Sequence, residues 1–133
     1  MYVLDTNTLI YFFKDQGSVA KMLLSTPPAE VAVPAVVVYE LETGIKKSQQ
    51  PERRMQQLGA LLDATRVLQF DRACAAESAR ARAELERLGT PIGPIDVLIA
   101  GTVLAHDGIL VTHNVQEFRR VSGLRLSDWY DPR

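Results

Sequence analysis

Short strand-length runs, each followed by a longer segment of helical periodicity, constrain the fold of this chain more than any other feature. Met1-Tyr2-Val3-Leu4, Glu30 to Val33, Arg66 to Phe70 and Ile109-Leu110-Val111 are the right length for buried strands and too short for buried helices. A last short strand is predicted over Leu124 to Leu126. The first helix continues through Leu9-Ile10-Tyr11-Phe12-Phe13, with Thr6, Asn7 or Thr8 able to cap it, and Val19 to Leu24 forms a second that Pro27-Pro28 closes. Pro34 opens a helix to about Ser48, and Pro51 opens another with Met55, Leu58, Leu61 and Leu62 as its apolar stripe. Asp71 caps a long helix to about Leu88, which Gly89 ends. Ile95 to Ala105 and a short turn near Val115 to Arg119 complete the set. Strands alternating with helices predict a three-layer α/β/α sandwich around a central, mainly parallel sheet.

With 133 residues, 47% hydrophobic and 23% charged, the chain fits one domain spanning 1–133. No apolar run approaches the ~20 residues that cross a bilayer, no lipidation signal is present, and Asp5 interrupts any secretory pattern. A cytoplasmic protein with no membrane partner is expected. Cys74, the only cysteine, lies among alanines and reads as packing, so neither an internal disulfide nor a thiolate-rich metal site can form. Two histidines, His106 and His113, argue against a His-rich zinc site. Any metal would be held mainly by carboxylates, which points to magnesium or manganese. The net charge of −1 does not advertise nucleic-acid binding, yet setting three acids aside in a metal site leaves the remainder net positive. Basic residues cluster at Lys46-Lys47, Arg53-Arg54, Arg80 with Arg82, and Arg119-Arg120 with Arg125. For any single cluster, a solvated helix face beside acids such as Glu84 and Glu86 is the simpler account.

The acids carry more information. Asp5 follows the first strand directly, at the carboxyl end where open α/β sheets gather ligands, although one such Asp can be only a cap. Glu40 lies inside Val36-Val37-Val38-Tyr39-Glu40-Leu41, where a carboxylate needs a cation or donors to offset desolvation. On an ideal wheel neither Glu40 nor Glu42 falls on the Val37-Leu41-Ile45 stripe, and the two lie about 200° apart, so spacing does not choose between them. Gly44, on the face of Glu40, permits close backbone approach and favours Glu40. Asp96 begins a helix whose other residues are apolar, and capping would also explain it. Thr112-His113-Asn114 follows the strand Ile109 to Val111, at the same sheet edge as Asp5, with Glu117 one helical turn beyond Asn114.

No nucleophilic cysteine, Walker-type loop or Gly-x-Ser-x-Gly elbow accompanies these acids. Phosphoryl chemistry on a carboxylate-held divalent metal needs these parts and little else.

With these residues assembled, the chain resembles the PIN-domain ribonucleases, and within them the VapC toxins of bacterial toxin-antitoxin pairs. The matching stretches are Met1 to Asn7, Tyr39-Glu40-Leu41 with Gly44, Ile92-Gly93-Pro94-Ile95-Asp96-Val97-Leu98-Ile99-Ala100, and Leu110 to Asn114 with Glu117-Phe118, Gly123-Leu124 and Asp128-Trp129. They span nearly the whole chain in the family's order and spacing. The resemblance implies a parallel-sheet PIN fold and an acidic pocket for magnesium or manganese. Asp5, Glu40 and Asp96 match the family's three acids, with Asp5 and Asp96 as direct ligands and Glu40 completing the pocket. A fourth acid of many relatives falls where this chain has Asn114; Glu117 could supply the missing carboxylate, or Asn114 could hold a metal-bound water. Thr112 would hydrogen-bond a neighbouring acid, and Asn7 would order the loop around Asp5. The implied activity is hydrolysis of an RNA phosphodiester, in a structured RNA such as a tRNA anticodon stem-loop. Lys46, Lys47, His113 and Arg119 are candidates for gripping its phosphates. The implied partners are a second copy of the chain and a VapB-type antitoxin whose C-terminal segment covers the pocket, with higher assembly in that complex. Two other readings remain: a non-catalytic RNA- or partner-binding module, and a haloacid-dehalogenase-type phosphatase with Asp5 as nucleophile. Asn7 stands where the phosphatase would want a second Asp.

Overall fold

The computed structural model describes residues 1–132. Five strands, β1 (Tyr2–Leu4), β2 (Val31–Pro34), β3 (Arg66–Leu68), β4 (Ile109–Val111) and β5 (Arg125–Ser127), form one sheet in the order β3-β2-β1-β4-β5. Every pairing is parallel, so the expected sheet is parallel throughout the described residues. Val3, Leu4, Val31, Ala32, Val33, Leu110 and Val111 are fully buried, as strands covered on both faces must be. Edge strand β3 stops at Leu68, short of the predicted Phe70, because Gln69 and Phe70 turn out to solvent before Asp71 caps the next helix.

The helices are α1 (Thr6–Phe13), α2 (Val19–Leu24), α3 (Ala35–Lys46), α4 (Pro51–Ala64), α5 (Arg72–Arg87), α6 (Pro94–Ala105) and α7 (Val115–Phe118). α1 begins earlier than predicted, and its cap is neither Thr6, Asn7 nor Thr8. Asp5 itself takes the extended N-cap conformation and accepts the Thr8 backbone N–H at 2.8 Å. Asp71 caps α5 in the same way, accepting from the Cys74 N–H at 3.0 Å, and Gly89 adopts positive φ just beyond the helix end. Cys74 is fully buried inside α5, consistent with packing.

The chain lays β1, β2 and β3 outward to one side, then returns to place β4 and β5 on the other side of β1. Connections after β1 and β4 therefore diverge, and a crevice opens outside their carboxyl ends. On one side of the sheet α5 and α6 press together at Gly101, where an added Cβ would stand 1.8 Å from Ser78 Oγ and 2.7 Å from the Ser78 backbone nitrogen. α6 is apolar nearly all round and buries Val97, Ile99, Ala100 and Val103. Near the chain end Trp129 is buried against the Tyr2 ring. Among the described residues no helix is long and apolar enough to cross a membrane.

Candidate active site

β1 and β4 fix the floor of the site. Asp5 leaves β1 with its backbone N–H donating to the Val111 carbonyl at 3.2 Å, which ties the strand end to β4. The Thr8 hydroxyl donates to the same carbonyl at 3.1 Å. The Asp5 side chain is only 5% exposed, and burial holds its carboxyl above the usual value of 3.8. Hydrogen bonds from Thr112 and Thr8 oppose that rise, and the charge of Glu40 adds to it. Thr112, fully buried, lies against Asp5 and favours its charged form, while its oxygen accepts the Asn114 backbone N–H at 3.0 Å. Asn7 is exposed, and its side chain makes no hydrogen bond among the described residues. The turn after β1 is ordered by Asp5 and Thr8 instead.

Glu40 reaches the site from the second turn of α3. Its carboxylate accepts the Thr6 hydroxyl at 2.5 Å, so Thr6, which the sequence reading treated as a possible cap, holds Glu40 across from Asp5. Glu42 has no such partner among the described residues, and it is the charge of Glu40 that acts on Asp5 and Asp96. Gly44 does not act through close approach: an added Cβ would meet nothing within 4 Å. It lies instead in an open groove beside Glu40, lined by Ile10, Phe13, Leu41, Ile45 and Arg54.

Asp96 stands in the first turn of α6, a helix start whose N-cap, Gly93, has no side chain of its own, so the acid gains from the helix dipole while it also faces other carboxylates. Its carboxyl is pushed up to about 6, first by burial and then by the charges of Glu117, Asp5 and Glu40. Glu117, from α7, is drawn to the same helix start. One of its oxygens accepts the Gly93 N–H at 3.1 Å, and the other accepts the Asn114 side-chain amide. These donors, Gly93 foremost, lower its proton affinity, and a hydrogen bond to Asp96 lowers it further. Asn114 and Glu117 are therefore joined in one unit beside Asp96. Gly93 and Thr6 are the positioning groups that sequence reasoning missed. The Ile92-Gly93-Pro94 turn carried a signal for the first, since a glycine before an N1 proline leaves a free amide at a helix start.

The basic candidates lie outside this cluster. Lys46 and Lys47 are exposed at the end of α3, and Arg119 is exposed at the end of α7. His113 turns away from the carboxylates to Asp128, with its Nδ1 2.9 Å from Oδ2. Arg80 and Arg82 pair with Glu77 and Glu86 on the solvated face of α5, the simpler account offered for them above.

Among the described residues no three acidic, histidine or cysteine side chains are gathered tightly enough to enclose an ion as they stand. The donor set nevertheless suits a hard divalent cation: it offers oxygen alone, and its charges raise the proton affinity of Asp96 across the gap. That long-range repulsion is what a bound cation would relieve.

The PIN domain profile matches residues 2–124. The chain belongs to the PIN-domain family. Within the PIN domains its likeness is to the VapC ribonucleases: it is 37% identical to the tRNA(fMet)-specific endonuclease VapC of Shigella flexneri, over 96% of this chain and 97% of that protein. Two solved complexes share this PIN fold over nearly their whole toxin chains. VapBC from Salmonella typhimurium, bound to DNA, gives a TM-score of 0.90 at 34% identity, covering 96% of this chain and 97% of that one. VapBC2 from Rickettsia felis, bound to a DNA fragment from its promoter, gives 0.89 at 32%, covering 96% and 98%. Membership in the PIN family removes the phosphatase reading of Asp5.

Proposed function

We propose that this chain is the toxin endoribonuclease of a VapBC pair, acting in the cytoplasm on tRNA with magnesium or manganese. The observation that carries this reading is the convergence of Asp5, Glu40, Asp96 and Glu117, from four separate elements, on the carboxyl ends of β1 and β4. Asp5 and Asp96 would hold the cation, with Glu40 completing the pocket. When bound, the cation supplies a Lewis acid for the phosphate and lowers the pKa of an attacking water. The protein's own part is to hold these groups still: Thr8 and Thr112 fix Asp5, Thr6 fixes Glu40, and the Gly93 amide and Asn114 anchor Glu117 beside Asp96. The reaction is in-line attack of water on an RNA phosphodiester, breaking the bond to the leaving ribose oxygen.

The Shigella flexneri relative is named for tRNA(fMet), which supports an initiator-tRNA substrate, with the anticodon stem-loop as the region cut. The relatives solved as VapBC complexes support a VapB-type antitoxin as partner. The apolar groove beside Glu40 offers such a segment a seat, and an antitoxin Arg would replace the cation's charge among the carboxylates. A homodimer, enlarged when antitoxin binds, completes the proposed assembly.

Purified, antitoxin-free protein incubated with total RNA and magnesium, beside an Asp5→Asn control, tests the reading. Discrete fragments from the parent alone, abolished by EDTA, are the expected result. Unchanged RNA in both tubes with binding intact would replace the enzyme by a non-catalytic module. That alternative rested on Asn114 in the fourth-acid position, and Glu117 beside it weakens that support.

A further inference from the structure

One ring cluster at the rim of the site has no part in the machinery described above. His113 lies one residue step, about 3.8 Å between Cα atoms, from both Thr112, which lies against Asp5, and Asn114, which bonds Glu117. Its side chain meets Asp128, Tyr130 and Tyr11 rather than the acids of the site. The imidazole stacks on Tyr130 with centroids 4.3 Å apart and planes 23° from parallel. Tyr11 meets Tyr130 edge-on at 4.7 Å and His113 at 6.0 Å. Those three separations put both tyrosines on the same side of the imidazole, leaving its other face clear of them. The His113 side chain is 41% exposed.

The ring is also immobilised. Asp128 Oδ2 holds Nδ1 at 2.9 Å, and Asp128 Oδ1 accepts the Tyr130 N–H at 2.9 Å, so one carboxylate fixes both members of the stack. Tyr130 is backed by Gly17, whose φ of +63° and lack of Cβ let the ring settle where an added Cβ would stand 2.6 Å from it. An exposed aromatic face normally retains rotamer freedom that binding must remove; here that cost has been met in folding. Unpaired RNA bases are recognised by stacking on such rings, Tyr and His among them.

We infer that His113, braced by Tyr130 and Asp128, is a platform on which an unpaired base next to the scissile phosphate stacks. This rests on the ribonuclease reading above. The bracing accounts for a histidine one residue from Thr112 being bonded to Asp128 and not to the acids of the site. His113 is thus a positioning residue for RNA, which selects a substrate nucleotide that is unpaired where it is cut.

The test uses the full chain with a tRNA(fMet) transcript whose cut site has been mapped on the parent protein. His113→Ala should raise KM about tenfold, the loss expected for one base–aromatic stack, with kcat little changed. His113→Phe should restore KM to within about twofold of the parent, because stacking needs the ring and not its nitrogens. With the parent protein, a transcript carrying an abasic ribose beside the cut should show the same rise in KM, and His113→Ala should add nothing further to it. An unchanged KM for His113→Ala, or a phenylalanine variant as impaired as alanine, overturns the platform. The abasic transcript keeps the test decisive if His113→Ala folds poorly: an unaltered KM with abasic ribose on either side of the cut also overturns it. If the parent cuts no RNA at all, the ribonuclease reading fails instead, an outcome distinct from all of these.

Discussion

At Asp96 burial and like charge act in the same direction, and the consequence is a dependence of stability on pH. The carboxyl value of about 6 in the fold lies above the usual 3.8, so folding favours its protonated form. Its contribution to stability is fully present below 3.8 and is lost as pH rises through about 6. Metal-free protein in EDTA should therefore melt at a higher temperature near pH 5 than near pH 7.5, and Asp96→Asn should shrink that difference while raising the melting temperature at the higher pH. Calorimetry of both proteins decides it; an Asn variant less stable near pH 7.5 would contradict the account. The same variant should not cleave RNA. A second expectation concerns Thr6, whose hydroxyl is the partner that holds Glu40. Thr6→Val should lower kcat/KM about fivefold to tenfold, the scale of one hydrogen bond, with little change in melting temperature. The acids themselves were legible in the sequence, because a carboxylate among apolar residues is conspicuous. Their holders were less so: the Thr8 amide is a local cap contact and the Gly93-Pro94 turn hints at a free amide, but that Thr6 meets Glu40 and Gly93 meets Glu117 depends on contacts across the fold that no local pattern encodes.

Helix α6, which carries Asp96 in its first turn, packs so closely on α5 that no Cβ fits at Gly101 beside Ser78. Gly101→Ala should destabilise the fold by about 1–3 kcal/mol, the usual range for overpacking, measured by urea denaturation. The clash includes the Ser78 backbone nitrogen at 2.7 Å, so trimming Ser78 should not rescue that variant. Ser78→Ala alone should be at least as stable as the parent, since the buried Ser78 hydroxyl has no hydrogen-bond partner among the described residues. A marked loss in that variant would reveal a bond the structure lacks. Element identity was readable because periods of 2 and 3.6 are local properties. Strand order was not, since a crossover helix of the same composition can carry the chain to either side of β1. Helix starts were misjudged where a polar cluster offered several caps: of Asp5-Thr6-Asn7-Thr8, the first residue took the cap because its extended backbone ends β1.

Over the whole molecule, four of the sixteen acids meet at the crevice, and the other twelve are spread beside the fifteen lysines and arginines, so the net charge of −1 includes four carboxylates that a cation would offset. Lys46→Ala and Lys47→Ala should each weaken tRNA binding and reduce the slope of log affinity against log salt by about one. Filter binding over a salt series with the Asp5→Asn protein measures it, and an unchanged slope would remove these lysines from the interface. The parallel β1–β4 pairing has a further consequence. Asp5 comes from the start of the described fold, yet the Val111 carbonyl and Thr112 that fix it come from near its other end. A ribosome makes the chain in order, so until β4 and α7 have been made Asp5 has no β4 to lean on and Asp96 has no Glu117. The proposed catalytic centre therefore comes into being only after β4 and α7 have been made, and a fragment that stops before Thr112 should not cleave RNA.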